Sequence, residues 1–164
     1  MIKLNRKLTI IMLSFFIAAS ASAGPTTVCQ FVCGLKCNKI GPKPADTSAK
    51  GNVFFQIDES KKEITYKLEV EKIRDVYMAH LHVGPCDKQG PMAAWLYPTN
   101  SVKGKIEGEF NGILAKGIIR PEDLKDGITF KYLIESMRSG TTYVNVHSKK
   151  YIPGELRGQV LPKT

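Results

Sequence analysis

The chain has 164 residues, with 24 Lys and Arg against 15 Asp and Glu, and therefore a formal net charge of +9. This length suits one domain with a real hydrophobic core and excludes two large domains. The basic residues are scattered rather than interleaved with aromatic residues. The composition therefore argues against nucleic acid as a partner and favours a solvated, mildly basic exterior.

The first 23 residues have the pattern of a secretory signal peptide. Lys3, Arg6 and Lys7 form a basic start, residues 8–19 are mostly apolar, and residues 21–23 read Ala-Ser-Ala, a cleavage pattern. The apolar run is too short to span a bilayer comfortably. We predict an exported protein, periplasmic or secreted, with no stable membrane span after cleavage. A retained N-terminal anchor is the alternative.

Residues 24–50 form a cysteine-containing extension that ends in a linker rich in proline and glycine. Apolar residues with helical spacing predict a short helix that starts near Thr26 or Thr27. An even number of cysteines in an exported chain predicts two disulfides, with three possible pairings. A thiol site for soft Cu(I) along one side of the helix is the alternative. The four cysteines are Cys29, Cys33, Cys37 and Cys86.

Residues 51–164 have the pattern of a mainly β domain. Two runs, 53–57 and 64–70, alternate apolar and polar residues and are joined by a polar hairpin loop. Short runs with turn residues every ten or so positions are typical of an antiparallel sandwich or barrel. Further strands are predicted at 76–83, 92–96, 142–147 and 155–161.

Two other segments complete the predicted domain. Residues 106–119 are interrupted by three glycines, which predict a hairpin with a bulge. A helix is predicted within residues 128–138, because Phe130 and Met137 belong to one apolar stripe and Gly140 is placed to end it. The predicted fold is thus an antiparallel β-sandwich or barrel with one short helix and an N-terminal extension.

All three histidines of the chain fall in two of the predicted strands. A strand turns successive side chains to opposite faces, so His80 and His82 share a face, and His147 lies on a later strand. The alternate residues from Tyr77 to Val83 are apolar and belong in the core. The histidines are therefore predicted on the outer face of the sheet, where they converge if the two strands are neighbours. This pattern predicts a three-imidazole metal site, and hydrogen-bonded histidines without a ligand are the alternative.

The ligand set favours a transition metal. Three neutral imidazoles suit copper, zinc or iron, and we predict copper with zinc as the alternative. Met78 shares the histidine face and is a possible extra ligand for Cu(I), or else a packing residue. Residues that alternate onto one face of the later strands could orient the imidazoles by hydrogen bonds. A Glu–Arg pair with a purely structural role explains the same pattern equally well. These predicted orienting residues are Tyr143, Asn145, Glu155 and Arg157.

Several motifs of the domain resemble the chordin (CHRD) domain family. They are HLHVGP at 80–85, Gly-Pro at 90–91, YVNVHS at 143–148 and GELRGQ at 154–159. The resemblance covers residues 51–161. It implies an immunoglobulin-like, Greek-key β fold found in chordin and in many bacterial secreted proteins, a family without a single assigned activity.

A weaker, site-level similarity is to the copper site of Cu/Zn superoxide dismutases. His80 and His82 match the H-x-H pair of that site, and His147 matches its later ligand. This chain departs from the pattern, because it has no fourth histidine to act as the bridging ligand and no His/Asp cluster for zinc. The resemblance thus implies metal binding and leaves dismutase activity in doubt.

Three functions remain open from the sequence. The first is an exported protein that binds a metal ion, predicted to be copper, in metal handling or tolerance. The second is a superoxide-dismutase-like copper enzyme, which the missing fourth ligand disfavours, so we do not predict an enzyme. The third is a non-catalytic structural module or protein-interaction module, which the concentration of all histidines in one pattern disfavours.

Overall fold

A computed structural model describes the backbone of residues 29–34, and the backbone and side chains of residues 45–99 and 104–163. These residues form eight strands, a short 3₁₀ turn at Pro121–Asp123 and one helix, α1 (Phe130–Arg138). The strands are β1 (Cys29–Gly34), β2 (Lys50–Asp58), β3 (Glu63–Arg74), β4 (Val76–Val83), β5 (Met92–Tyr97), β6 (Glu109–Ile119), β7 (Thr142–Ser148) and β8 (Leu156–Pro162).

The strands form two antiparallel sheets that share one strand. The spatial order is β5-β4-β7-β8-β1-β2-β3-β6. β8 pairs along most of its length with β7, and its last residues, Leu161 and Pro162, pair with β1. The outermost strands β5 and β6 have no ladder between them in the described part of the chain, so the fold is a sandwich and not a closed barrel.

The core lies between the two sheets and follows the predicted alternation. On β2 and β3, every second residue is buried while its neighbours are exposed or half-buried, for example Val53, Phe55 and Ile57 on β2. Leu81 on β4 and Val144 on β7 are fully buried on the facing side. The antiparallel sandwich predicted from the sequence is therefore confirmed.

Helix α1 begins and ends where the sequence predicts. Thr129 caps its start, because the Thr129 hydroxyl accepts a hydrogen bond from the backbone N–H of Tyr132 at 3.2 Å. Leu133 and Met137 are fully buried against the core. Gly140 follows the helix with a φ of +69°, a left-handed conformation that favours glycine.

The predicted helix near residues 28–35 is wrong, because residues 29–34 form strand β1. This strand pairs with β2 over its full length and with the end of β8. Ladder hydrogen bonds on both sides outweigh a short apolar repeat, and the β-branched Val32 suits a strand. These two ladders also attach residues 29–34 of the extension to the sandwich. The domain boundaries remain a prediction.

The predicted hairpin within residues 106–119 is also wrong, because Glu109–Ile119 is one continuous strand. β6 pairs with β3 throughout, with register shifts at two points, so the predicted bulge is present without a turn. Gly112 adopts a φ of +130° beside one of these shifts. Gly117 lies against the ring of Tyr66, where an added Cβ would be 3.0 Å from the ring. These glycines serve the bulge and close packing rather than a reversal of the chain.

The predicted signal peptide and Cys37 lie outside the described residues, as do the side chains of Cys29 and Cys33. Export and the cysteine pairing therefore stay predictions. Within the described ranges, no helix combines the length and apolar character needed to cross a membrane.

The inward alternation of β4 can be tested by a matched pair of substitutions. Leu81 is fully buried, whereas Leu161 on β8 is 51% exposed. We expect Leu81→Ala to lower the free energy of unfolding by about 3 kcal/mol, because it leaves a cavity in the core. Leu161→Ala should change it by less than about 1 kcal/mol. Urea unfolding of both variants measures this, and equal losses would contradict the described orientation of β4.

Candidate metal centre

The pairing of β4 with β7 brings the three histidines together. In the antiparallel register, His80 lies opposite Asn145 and His82 lies opposite Tyr143, while His147 lies opposite Met78. The ring centroids of His80 and His82 are 5.7 Å apart, and those of His80 and His147 are 5.1 Å apart. The predicted convergence of the histidines is therefore present as a cluster of neighbouring rings.

Loops cover the histidine face and make it a cleft rather than an open surface. His80 is 6% exposed and His147 is 8% exposed. The loop between β4 and β5 closes one side, and the loop between β7 and β8 closes the other. The cleft has a volume of about 280 Å³ and is lined by His80, His82, Gln89, Met92, Tyr143, Asn145, His147, Ile152, Pro153 and Arg157.

Backbone carbonyls of these loops orient two of the imidazoles. His82 Nδ1 lies 3.0 Å from the carbonyl oxygen of Gly90, and His147 Nδ1 lies 2.7 Å from that of Ile152. A carbonyl can only accept a hydrogen bond, so each Nδ1 carries the proton. The Nε2 atom of each neutral ring then bears the lone pair, which is the arrangement found in histidines that bind a metal.

The Nε2 atoms of all three histidines are buried and lack a hydrogen-bond partner among the described residues. Buried nitrogens are normally satisfied, and an unpaired one costs about 1–3 kcal/mol. A single orphaned ring nitrogen can be a local imperfection of packing. Here three such atoms lie on neighbouring rings in one cleft.

The cleft keeps its histidines neutral. Burial, together with the smaller effects of the neighbouring His147 and His82, lowers the pKa of His80 to about 3. Burial also lowers the pKa values of His82 and His147, although the carbonyls of Gly90 and Ile152 partly oppose this. Neutral imidazoles at neutral pH leave their lone pairs free to bind a metal.

Among the predicted orienting residues, Tyr143, Asn145 and Arg157 line the cleft and Glu155 does not. The Tyr143 ring stacks on His82 with centroids 4.8 Å apart, and the Arg157 guanidinium lies 4.3 Å from the centre of the same ring. Asn145 Nδ2 donates to the carbonyl of Pro153 at 3.1 Å. The carboxylate of Glu155 instead accepts a hydrogen bond from Thr47.

The methionine of the cleft is Met92, not Met78. Met92 lies opposite His82 at the start of β5 and lines the cleft, whereas Met78 is not among the lining residues. Met78 does share the end of β4 with His80 in sequence. Met78 also lies directly opposite His147 in the β4–β7 ladder, so it shares the histidine face without lining the cleft, and its role as an extra ligand stays a prediction.

A bulge between Val76 and Met78 overturns the predicted inward position of Tyr77. Its ring centroid lies 6.1 Å from that of His147, and Val76 takes a fully buried core position instead. An inserted residue shifts the alternation by one, so residues before the bulge face opposite to the sequence pattern.

Trp95 is a neighbour of the site that the sequence reasoning missed. It lies opposite His80 across the β4–β5 ladder, and the two ring centroids are 4.4 Å apart in an edge-on arrangement. Its side chain is 42% exposed at the edge of the sheet. Residues 92–97 alone gave no signal for this contact, because the register of β5 on β4 was unknown.

The donors of this cleft fit copper or zinc in chemistry, since both metals accept imidazole nitrogen. The side chains do not form a complete metal site as they stand. Among the described residues, no three His, Cys, Asp or Glu side chains come close enough together to hold an ion without movement. Metal binding would require the three rings to close on the ion.

The lowered histidine pKa values predict a stability loss in acid for the metal-free protein. The unfolded chain takes up protons below about pH 6.5, whereas folded His80 resists protonation down to about pH 3. The stabilisation is therefore present above pH 6.5 and is lost as the pH falls through this window. We expect His80 to contribute about 2 kcal/mol to the loss between pH 7 and pH 4.5. Urea unfolding with a chelator present measures it, and a His80→Gln variant with the same pH dependence would contradict the assignment.

Gly154 allows the β7–β8 loop to close on Asn145. Its φ is +124°, and an added Cβ would lie 1.9 Å from Asn145 Oδ1. Gly112 has a similar φ of +130° but open space around it, so it is the matched control. We expect Gly154→Ala to lower the free energy of unfolding by about 2 kcal/mol more than Gly112→Ala, because only the first adds a clash to the backbone strain. Equal losses in urea unfolding would show that the close contact with Asn145 has no energetic effect.

Comparison with known proteins gives one clear relationship. The family model of the CHRD domain matches residues 33–160, so the match begins within β1 and includes every histidine of the cleft. No curated protein matches the chain, and no solved structure matches it either. The similarity to superoxide dismutases therefore gains no support. The match spans most of the sequence, and the chain belongs to the CHRD domain family.

Proposed function

We propose that this protein is an exported CHRD-domain protein that binds one metal ion, most favourably copper, through His80, His82 and His147. The observation that carries the proposal is the set of three buried Nε2 atoms without a partner. Two of the rings already have the Nδ1–H tautomer that leaves Nε2 available. The role is metal handling or tolerance rather than catalysis.

Membership of the CHRD family supports the coarser part of this function. Proteins with this domain include secreted and structural modules, and the described residues contain no membrane-spanning helix. Export itself rests on the signal-peptide pattern of residues 1–23. A purely structural role would not require three unsatisfied ring nitrogens in one cleft, and for this reason we favour metal binding.

Copper is favoured over zinc by the ligand types. Imidazole sites bind Cu²⁺ more tightly than Zn²⁺ in the general order of divalent metals. Met92 adds a thioether at the rim of the cleft, a soft group suited to Cu(I). We do not propose a reaction at a free coordination position of the bound ion, and dismutase-like activity is not part of the proposal.

Metal titration of the purified protein tests the proposal. Thiols are first alkylated, so that the cysteines cannot contribute ligands. We expect one Cu²⁺ per chain, with affinity reduced roughly tenfold or more in His80→Gln, His82→Gln and His147→Gln, because each loses one donor. Ser136→Ala is the control, since Ser136 is a buried polar residue of α1 away from the cleft.

The single tryptophan of the chain provides an independent signal. The Trp95 ring lies 4.4 Å from that of His80, so bound Cu²⁺ should quench its fluorescence, while Zn²⁺ serves as the non-quenching competitor. Saturable quenching that zinc reverses supports the proposal. Folded wild-type protein that takes up neither metal would overturn it and leave a structural module.

A further inference from the structure

The cleft contains a buried positive charge beside the three histidines, that of Arg157. Arg157 is 4% exposed and lies on β8, next to the strand that carries His147. Within the described part of the chain, no Asp or Glu side chain lines the cleft, and Arg157 makes no salt bridge. A buried guanidinium without a carboxylate partner is costly and needs an explanation.

The hydrogen-bond donors of Arg157 are incompletely used. Its Nη2 donates to the carbonyl of Lys88 at 2.9 Å. Its Nε is buried and has no partner among the described residues. The guanidinium lies over the Tyr143 ring, which supplies a cation–π contact but no negative charge. Arg157 thus offers an N–H group and a charge to a ligand in the cleft.

The charge of Asp87 acts on Arg157, but Asp87 does not line the cleft. Asp87 and Asp126 are exposed, and the carboxylate of Asp126 accepts a hydrogen bond from the backbone of Met92 at 3.0 Å. Glu155 is buried, but its carboxylate accepts from Thr47 and does not line the cleft. The lining side chains therefore leave a negative charge to be supplied from outside.

A bound metal ion makes this imbalance larger. Three neutral imidazoles leave the full double charge of Cu²⁺ or Zn²⁺ in place, beside the single charge of Arg157. Like charges in a poorly solvated cleft repel strongly, and a small anion between them removes most of the repulsion. Arg is also the side chain best suited to hydrogen-bond an anion through charge-assisted contacts.

We infer that the cleft binds a small monovalent anion together with the divalent metal, held by the guanidinium of Arg157. The chemical class is a halide, azide or a small carboxylate. This inference rests on the proposed metal site, because the metal supplies half of the attraction. It assigns to Arg157 an anion-binding role in addition to its contacts with Tyr143 and Lys88.

Azide titration of the Cu²⁺-loaded protein tests the inference, with the azide-to-copper charge-transfer absorption as the signal. We expect one azide per copper in the wild type and an affinity reduced roughly tenfold or more in Arg157→Gln. Arg157→Lys should retain part of the affinity, because it keeps the charge. Lys150→Gln is the matched control: it removes an exposed charge of the β7–β8 loop but keeps the guanidinium, and azide affinity should stay within about twofold of the wild type.

The outcomes separate the two proposals. Wild-type protein without bound copper overturns the metal site itself. If Arg157→Gln binds copper as the wild type does and its azide affinity is unchanged, the anion-binding role of Arg157 is overturned and the metal site is not affected. If Arg157→Gln does not fold, azide binding to the copper-loaded wild type decides. Formate must then displace azide from one site, whereas a bulky, weakly coordinating salt at equal ionic strength must not. Azide binding no tighter than to a simple copper–imidazole complex also overturns the inference.

Discussion

The pairing of β7 with both β4 and β8 is the constraint on which the rest of the site depends. All seven residues of β7 are buried, so this strand has no solvent-facing side. Its inward side chains, such as Val144 and Val146, join the core. Its other side chains include Tyr143, Asn145 and His147, which must satisfy their polar atoms without bulk water.

The two loops beside β7 meet this requirement in part. The β7–β8 loop supplies carbonyls to Asn145 Nδ2 and to His147 Nδ1. The β4–β5 loop does the same for His82, and Gly90 N–H donates to the Tyr143 hydroxyl at 3.0 Å. Asn145 Nδ2 and the Nδ1 atoms of His82 and His147 thus donate to backbone carbonyls, while the Nε2 atoms of the three histidines remain unpaired among the described residues.

The sequence predicted the strands of the sandwich well because its apolar alternation is regular. It also placed His80, His82 and His147 on one face, since two of them lie in H-x-H and the third lies among alternating valines. Tyr77 was placed wrongly, because a bulge has no mark in the alternation of β4. Met92 and Trp95 could not be assigned, because contacts across strands depend on register, and the register is set by the whole sheet.

β1 and β6 illustrate the same limit at the level of secondary structure. The apolar spacing of residues 28–35 fits a helix, but pairing with β2 and β8 overrides it. The glycines of β6 are typical of turns in isolation. In the sheet, Gly117 instead makes room for the Tyr66 ring, whose hydroxyl donates to the carbonyl of Leu96 on the opposite sheet at 2.9 Å. The function of such a glycine depends on a neighbour that is distant in sequence.

Two glycine-containing segments, the Gly-Pro pair at 90–91 and the segment that starts at Gly154, act directly on two of the histidines. Gly90 supplies the carbonyl for His82, and an added Cβ at this position would lie 1.9 Å from the carbonyl oxygen of Val83. Gly154 ends the loop that supplies the carbonyl of Ile152 to His147. In both loops the backbone approaches its neighbours too closely for any side chain. The loops therefore fix the tautomer of His82 and His147, and the fold leaves the Nε2 atom of each ring unpaired in the cleft.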